Sequence, residues 1–299
     1  MDWTFFETLI AHVSHGFPGF LAAVVVLIGG RFLFLRTTSF DARQELFRQP
    51  NSAFGVTLGA YLFAAGLALM GTFFGRRDMS PLAAAGILMI NGAITIVLLR
   101  VSIAINDRFI LSSFSITKEI ADDRNLGVGF CVAGSMLACG LILNGALTGF
   151  SDDFAHGIRD LVVFWALGQI LLVAMSAAYS WSVKYNVHRL IEYDNNVAVG
   201  IGFGGFLTGM GIIVRSSLKL ADTRQGHLLQ AIVESAVLAA VGAVLLLLVH
   251  TLIRRRLFPR TSYEHEVEMK RNVAVSVLAT AVDLAVALFL AAILEREVF

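Results

Sequence analysis

The composition of this 299-residue chain excludes an ordinary water-soluble domain. Hydrophobic residues make up 57% of it and charged residues only 15%, whereas a soluble domain carries roughly 25% charged residues. The formal net charge is +1, so the chain as a whole has no attraction for nucleic acid. We expect the lipid bilayer to be its solvent.

Eight apolar stretches follow one another along the chain. All but the first are close to the length of about 20 residues that crosses a bilayer as a helix, and Phe17 and Leu35 extend the first to a plausible span. The stretches run over Phe20–Phe34, Ala53–Phe74, Leu82–Leu99, Leu126–Leu147, Leu161–Ala178, Val197–Val214, Leu228–Leu252 and Val273–Leu294. The sequence therefore predicts an all-α fold, a polytopic membrane helix bundle with about eight transmembrane helices.

The first sixteen residues do not resemble a cleavable secretory signal, because they include Asp2 and Glu7 and end without a small-residue cleavage site. We predict an interfacial N-terminal segment over residues 1–16. A first membrane half over residues 17–150 and a second over residues 151–299 would follow it.

An internal repeat begins at every second apolar stretch. Asn51, Asn125, Asn196 and Asn272 each open such a stretch, at spacings of 74, 71 and 76 residues. Each period holds two apolar stretches, so the repeating unit is a helical hairpin and all four copies enter the membrane in the same direction. The prediction is four parallel two-helix repeats.

The basic residues give these repeats an orientation. Sixteen of the 23 lie inside the hairpins: Arg31, Arg36, Arg43, Arg48, Arg100, Arg108, Lys118, Arg124, Lys184, Arg189, Arg254, Arg255, Arg256, Arg260, Lys270 and Arg271. The other seven lie at the ends and in the remaining connections: Arg76, Arg77, Arg159, Arg215, Lys219, Arg224 and Arg296. Because basic loops stay in the cytoplasm, we expect both termini to be periplasmic.

The sequence also carries a family resemblance, which the second repeat matches best. The Asn-Val-Ala-Val helix starts, together with the segment Ile105–Ile120 (INDRFILSSFSITKEI), are similar to a bacterial inner-membrane family called domain of unknown function 350, or YjfL-like. Members of that family typically have four spans, so the chain resembles two members in tandem. The resemblance implies location in the bacterial inner membrane and proximity to membrane-stress and polyamine-metabolism proteins, and it implies no particular chemistry.

Asp283 is the first candidate for an ion-path residue. It lies about eleven residues into the last stretch, near the bilayer midplane, and no basic residue in that stretch can pair with it. We therefore expect an unpaired carboxyl group that faces the protein interior. A carboxylate there costs on the order of 2.5 to 3.5 kcal/mol, so such residues usually face a cavity or a partner. Asp283→Asn is expected to reduce ion transport without loss of stability, unless the carboxyl only makes a structural hydrogen bond.

Three more polar residues interrupt the apolar stretches. Glu234 lies near the outer end of the seventh stretch, and Asn91 and Gln169 lie in the middle of the third and fifth. Together with Asp283 they could form one polar core and an ion path. For Asn91 and Gln169, isolated hydrogen bonds between helices explain the pattern equally well.

The four repeat asparagines and the glycines also admit two interpretations each. An asparagine at a helix start caps the unpaired amides of the first turn, or the four could ring a pore mouth. Glycines at four-residue spacing let helix backbones approach, or they line a narrow path. These glycine pairs are Gly55 with Gly59, Gly200 with Gly204, and Gly205 with Gly209.

No enzyme motif is present: H-E-x-x-H, G-x-S-x-G, G-x-x-x-x-G-K and C-x-x-C are all missing. We therefore expect a protein that is not an enzyme and that needs no cofactor and no metal. The charged run Glu264–Lys270 has the pattern of a solvated loop rather than of a metal site.

Two functional hypotheses remain open. The favoured one is passage or exchange of a small ion through a polar route between the repeats. The alternative is a membrane-stress component without transport, whose basic loops bind anionic lipid or a peripheral protein; self-association into a homo-oligomer fits either. A hydrated cavity at Asp283 would favour transport, and a tight dry helix contact would favour the alternative.

Overall fold

The computed structural model describes residues 3–74, 80–112, 115–149, 151, 153–257 and 262–295. Apart from the connections between helices these residues form helices, and no β-strand occurs among them. The helices are α1 (Trp3–Arg36), α2 (Ser52–Phe74), α3 (Pro81–Ile105), α4 (Ile116–Ala121), α5 (Leu126–Thr148), α6 (Phe154–Ser182), α7 (Val187–Glu192), α8 (Val197–Lys219), α9 (Leu228–Leu257), α10 (Tyr263–Glu268) and α11 (Val273–Leu294). Short π-helical turns cover Gln44–Arg48 and Asn106–Ile110.

Eight of these helices are long and apolar enough to cross a membrane, as the sequence predicted. The predicted N-terminal segment is not set apart from the first of them, because α1 runs without interruption from Trp3 through Pro18 to Arg36. Its location at the interface stays a prediction. Several residues used for the sequence predictions lie outside the described part of the chain: Met1, Asp2, Arg76, Arg77, Arg260 and Arg296.

The long helices form two rows. In the capped row, α2, α5, α8 and α11 pack side by side in that order. In the covering row, α1, α3, α6 and α9 follow the same order, and α3, α6 and α9 each contact two neighbouring helices of the capped row. The four hairpin units, which we number 1 to 4 along the chain, therefore form an open series with α2 at one end and α11 at the other, and not a ring around an axis.

Every unit begins its capped-row helix with the same turn. The side-chain oxygens of Asn51, Asn125, Asn196 and Asn272 accept hydrogen bonds from the amide three residues later, at 3.1 to 3.3 Å. The residue before the asparagine has a positive φ in units 2 to 4, with values of 52° at Arg124, 48° at Asn195 and 50° at Arg271. The asparagines thus begin equivalent helices, as predicted, and of the two interpretations left open for them the structure shows capping.

The capping side chains also join neighbouring units. The amide nitrogens of Asn51, Asn125 and Asn196 donate to the carbonyls of Ile120, Ile191 and Val267, each five residues before the next asparagine, at 2.7 to 2.9 Å. Glu45, Glu119 and Glu266 each accept from the asparagine six residues later. The recurring acidic residue therefore holds the cap in place, and unit 3 lacks it because Leu190 stands there.

Asn125→Ala is expected to destabilise the protein by about 2 to 3 kcal/mol, since it removes a helix cap and leaves buried hydrogen-bonding groups of two units unpaired. Asn272→Ala is the matched control. Asn272 is only half-buried and donates within its own unit, so we expect a loss of about 1 kcal/mol. Thermal unfolding in detergent measures both, and equal losses would contradict the bridging role of Asn125.

Backbones in the capped row approach closely because small residues face one another. A Cβ on Gly134 would overlap the carbonyl oxygen of Gly204, and one on Gly140 would lie 2.5 Å from the carbonyl oxygen of Ala64. Between α8 and α11 the hydroxyl of Ser276 donates to the carbonyl of Ala198 at 2.5 Å. The helices are parallel and in register, and the glycines serve packing, which is the device expected where lipid gives no hydrophobic drive.

A polar chain ties the row together at the end of the helices opposite the asparagine caps. Asn144 donates to the carbonyl of Leu67 at 2.7 Å and accepts from Arg215 Nε at 2.7 Å. Arg215 and Lys219 both pair with Glu295, at 2.9 and 2.7 Å, and these pairs lower the pKa of Glu295 although its partial burial opposes them. Arg215 thus has a structural role in addition to reaching the surface.

Candidate functional site

Asp283 is buried between α9 and α11, halfway along the 22 residues of α11. The expectation that it faces the protein interior is confirmed, but the expectation that it has no partner is wrong. His250 Nδ1 lies 2.8 Å from its Oδ2, and Arg254 Nη2 lies 3.8 Å from the same oxygen. Both partners come from α9, so the residues of the last stretch do not by themselves reveal them.

His250 and Arg254 lie four residues apart, which places them on one face of α9. Their side chains are buried, with exposed fractions of 3% and 7%. The guanidinium of Arg254 stacks over the ring of Tyr263 at 3.7 Å from its centroid, a cation–π contact that partly replaces lost hydration. The arginine that the sequence placed in a basic loop is therefore held inside the protein.

Aromatic side chains enclose these groups. The ring of His250 meets the edges of Tyr179 on α6 and Phe206 on α8, at centroid distances of 5.7 and 5.6 Å. Tyr185 and Tyr263 are buried close by, and burial raises the pKa of both phenols above the usual range although Arg254 opposes it. Both hydroxyls therefore stay protonated at neutral pH and bring no charge to the cluster.

The charges in this cluster balance only when His250 is neutral. An ionised Asp283 and the permanently charged Arg254 cancel, and a neutral His250 then donates its Nδ1 proton to the carboxylate. In that tautomer Nε2 carries no proton, and it is a buried atom without a hydrogen-bond partner among the described residues. A proton arriving at Nε2 would add an uncompensated buried charge, which is costly.

The cluster extends toward one side of the membrane only. Arg254 and Tyr263 connect Asp283 with the end of α9 and with α10, on the side of the basic hairpin loops. Toward the opposite side, Gly209, Leu246 and Ala287 close the contact between α8, α9 and α11, with a Cβ on Gly209 meeting the other two at 3.4 and 3.5 Å. The His250–Asp283–Arg254 cluster is thus bordered by polar and aromatic groups toward the basic loops and by apolar packing toward the opposite helix ends.

The structure does not bring the four predicted ion-path residues together. Glu234 is exposed on α9 and accepts a hydrogen bond from Gln230 at 2.8 Å. Asn91 is half-buried on α3. Gln169 is buried on α6, but its partner is Cys139 on α5, at 3.5 Å. The expected polar core of Asp283, Glu234, Asn91 and Gln169 is therefore wrong as a grouping, because these residues face different neighbours.

Gln169 belongs to a separate buried network between α3, α5 and α6. Asn106 Nδ2 donates to Ser135 Oγ at 3.0 Å and lies 3.8 Å from the sulfur of Cys139. Trp165 Nε1 donates to Ser102 Oγ at 2.9 Å. These groups carry no formal charge, so the network fits the interpretation of hydrogen bonds between helices, which the sequence left open for Gln169.

One sequence signal could have identified the partners of Asp283. His250 lies inside the seventh apolar stretch and precedes Arg254 by four residues. An intramembrane histidine followed one turn later by an arginine is unusual enough to be a candidate site. The tyrosines could not have been found in this way, because Tyr179 and Tyr185 come from unit 3 and Tyr263 comes from the short helix α10 outside the apolar stretches.

A second candidate is a cavity of about 240 Å³ on the side of the basic hairpin loops. Its lining includes Thr37, Phe40, Arg100 and Asp107. Arg100 lies over the ring of Phe34, 5.4 Å from its centroid, and its Nη2 lies 3.4 Å from the carbonyl oxygen of Thr37. An open cavity with one arginine beside hydroxyl groups has the chemistry to hold an anionic headgroup.

Comparison with known proteins gives one match. The model of the family described as Domain of Unknown Function (DUF350) matches the chain twice, over residues 7–147 and 153–294. No curated protein and no solved structure matches the chain. The two matches divide the chain between α5 and α6, so each covers two hairpin units.

Proposed function

The chain belongs to the DUF350 family and is an integral membrane protein with two domains of that family in tandem; from this premise we propose that it carries protons, or exchanges them for another small cation, across the bacterial inner membrane. The observation that carries the proposal is the buried His250–Asp283 pair beside Arg254. Ionisable groups at this depth are expensive and are usually retained for function. No enzymatic activity and no cofactor are part of the proposal.

The proposed proton site is His250 Nε2. In the described structure this nitrogen is buried, and Gly209, Leu246 and Ala287 pack closely on the side away from the basic loops. A dry contact of this kind was the expectation for the alternative function, so transport requires that the contact opens. Protonation adds a charge that the pair of Asp283 and Arg254 does not compensate, which favours a rearrangement of the contact between α9 and α11. Exchange then requires that α9 or α11 shifts so that the buried site opens to each side of the membrane in turn.

Proton flux in liposomes tests this proposal. Purified protein is expected to carry protons, and His250→Gln is expected to reduce the flux by roughly tenfold or more, because glutamine keeps a hydrogen bond to Asp283 but does not bind a proton at neutral pH. Repeating the proton-flux measurement with a potassium gradient and with a polyamine gradient shows which cation is exchanged for the proton. His188→Gln is the matched control, since His188 bonds the carbonyl of Ile110 away from the cluster.

Two results would contradict the proposal. Undiminished flux in His250→Gln at equal protein incorporation would remove this residue from the mechanism. Absence of proton, potassium and polyamine flux in the unmodified protein would leave the alternative function, binding of anionic lipid or a peripheral membrane-stress protein. The cavity at Arg100 supports that alternative, and native mass spectrometry should then show that Arg100→Gln loses bound anionic lipid.

The proposed orientation places both termini in the periplasm and the basic hairpin loops in the cytoplasm. A reporter enzyme that is active only in the periplasm should be active when fused after Phe299 and inactive when inserted near Arg256. The opposite pattern would reverse the orientation, and with it the side of the membrane that the polar border of the His250 site faces.

A further inference from the structure

The helices at the two ends of the capped row, α2 and α11, each expose a face that is equivalent to the faces packed together inside the row. In each internal contact, the residues 4, 8 and 15 positions after the capping asparagine pack on the preceding unit. In unit 3 these are Gly200, Gly204 and Gly211, which meet α5. In unit 4 they are Ser276, Thr280 and Ala287, and the first two donate to carbonyls of α8.

The same positions of unit 1 are Gly55, Gly59 and Gly66, and they have no preceding unit to meet. A Cβ on any of the three would extend into open space. Nothing in the described part of a single copy thus requires glycine at these positions, although the equivalent glycines of α8 lie against the backbone of α5.

The opposite end of the row presents the complementary surface. The residues of α5 and α2 that receive the next unit are small: Gly127 and Ala138 on α5, and Ala53 and Ala64 on α2. The equivalent positions of α11 are Ala274 and Ala285, and both are exposed. Both ends of the series therefore keep the shape of an internal contact without a helix to complete it.

The hydrogen bonds from each capping asparagine to the next unit also end at α11. Asn51, Asn125 and Asn196 each donate to a carbonyl of the next unit, whereas Asn272 donates to Glu266 of its own unit. An asparagine amide has two donors. In a series continued beyond α11, the equivalent acceptor for the second donor would be the carbonyl of Leu46.

We infer that α11 of one copy docks in register on α2 of a second copy of this chain, and that the protein assembles head to tail. The contact between α5 and α8 supports a second copy as the occupant. It joins the two family domains, and it uses the same positions as the contacts within each domain. One family domain thus already docks on another in this way, and repetition of such a heterologous contact gives a ring or a row in the membrane.

Disulfide cross-linking in the membrane tests the register. Gly55 and Ala274 are equivalent to Gly129 and Ala53, where a Cβ on the glycine lies 3.3 Å from the alanine Cβ, close to disulfide geometry. Two differently tagged chains, one with Gly55→Cys and one with Ala274→Cys, should form a heterodimer on oxidation. The pair Gly66→Cys with Ala274→Cys, displaced by about 16 Å along the helix, should give roughly tenfold less.

A bulky substitution tests the assembly without relying on cysteine chemistry. Gly59→Leu should leave each copy folded, because its side chain enters open space, and should convert the assembly into monomers in liposomes, counted by single-molecule photobleaching. Gly86→Leu, on the exposed face of α3, should leave the assembly unchanged.

Three outcomes would overturn the inference. The first is a monomeric unmodified protein in liposomes at all protein-to-lipid ratios. The second is equal cross-linking of the in-register and displaced pairs. The third is cross-linking of the Gly55→Cys chain with itself, which would mean that two α2 helices pair around a two-fold axis.

Discussion

Replacing Asp283 by asparagine is expected to destabilise the folded protein by about 3 to 5 kcal/mol, the usual cost of removing one partner of a buried ion pair. Asparagine keeps the shape of the side chain, but Arg254 then remains buried without a counter-charge, and His250 loses its charged acceptor. From the sequence alone we expected stability to be preserved. The structure reverses that expectation because it places an arginine 3.8 Å from the carboxylate.

The double substitution Asp283→Asn with Arg254→Met separates charge balance from the loss of the carboxyl group. It restores a neutral cluster, so it should recover at least half of the stability that Asp283→Asn loses, by about 2 kcal/mol or more. Thermal unfolding in detergent of the two single variants and the double variant measures the coupling. Strictly additive losses would mean that Asp283 and Arg254 do not interact in the folded protein.

Replacing Gly134 by alanine is expected to destabilise the protein by about 3 kcal/mol, at the upper end of the usual range for overpacking. The added Cβ would overlap the carbonyl oxygen of Gly204, and backbone atoms cannot move aside as a flexible side chain can. The helices α5 and α8 would have to separate at the contact that joins the two family domains. Loss of folded protein on heating, followed by size-exclusion chromatography, measures the effect.

Gly86→Ala is the matched control for the glycine prediction. Gly86 also lies in a membrane-spanning helix, but a Cβ there meets open space. Alanine favours a helix over glycine by up to about 1 kcal/mol, so this variant should be as stable as the parent or slightly more stable. Equal destabilisation of the two variants would show that glycine is needed for a reason other than close packing at α5.

The functional site was only partly predictable. Asp283 was recognised because a carboxyl group in an apolar stretch is costly wherever it lies. Its neighbours were not, because His250 and Arg254 are 33 and 29 positions earlier in the chain, and only the packing of α9 on α11 decides that they meet the carboxylate. Glu234 satisfied the same sequence criterion and yet is exposed on α9.

The amino-acid sequence by itself determined the membrane environment, the eight spans, the hairpin repeat and the helix starts at the four asparagines. These properties follow from local composition and from periodic positions, which each segment carries without reference to its neighbours. The tertiary structure alone decided that the units form an open series, which glycines meet a backbone, and that Asp283 is paired. Those properties depend on which faces of distant helices meet, and an almost uniformly apolar helix does not specify which of its faces is buried.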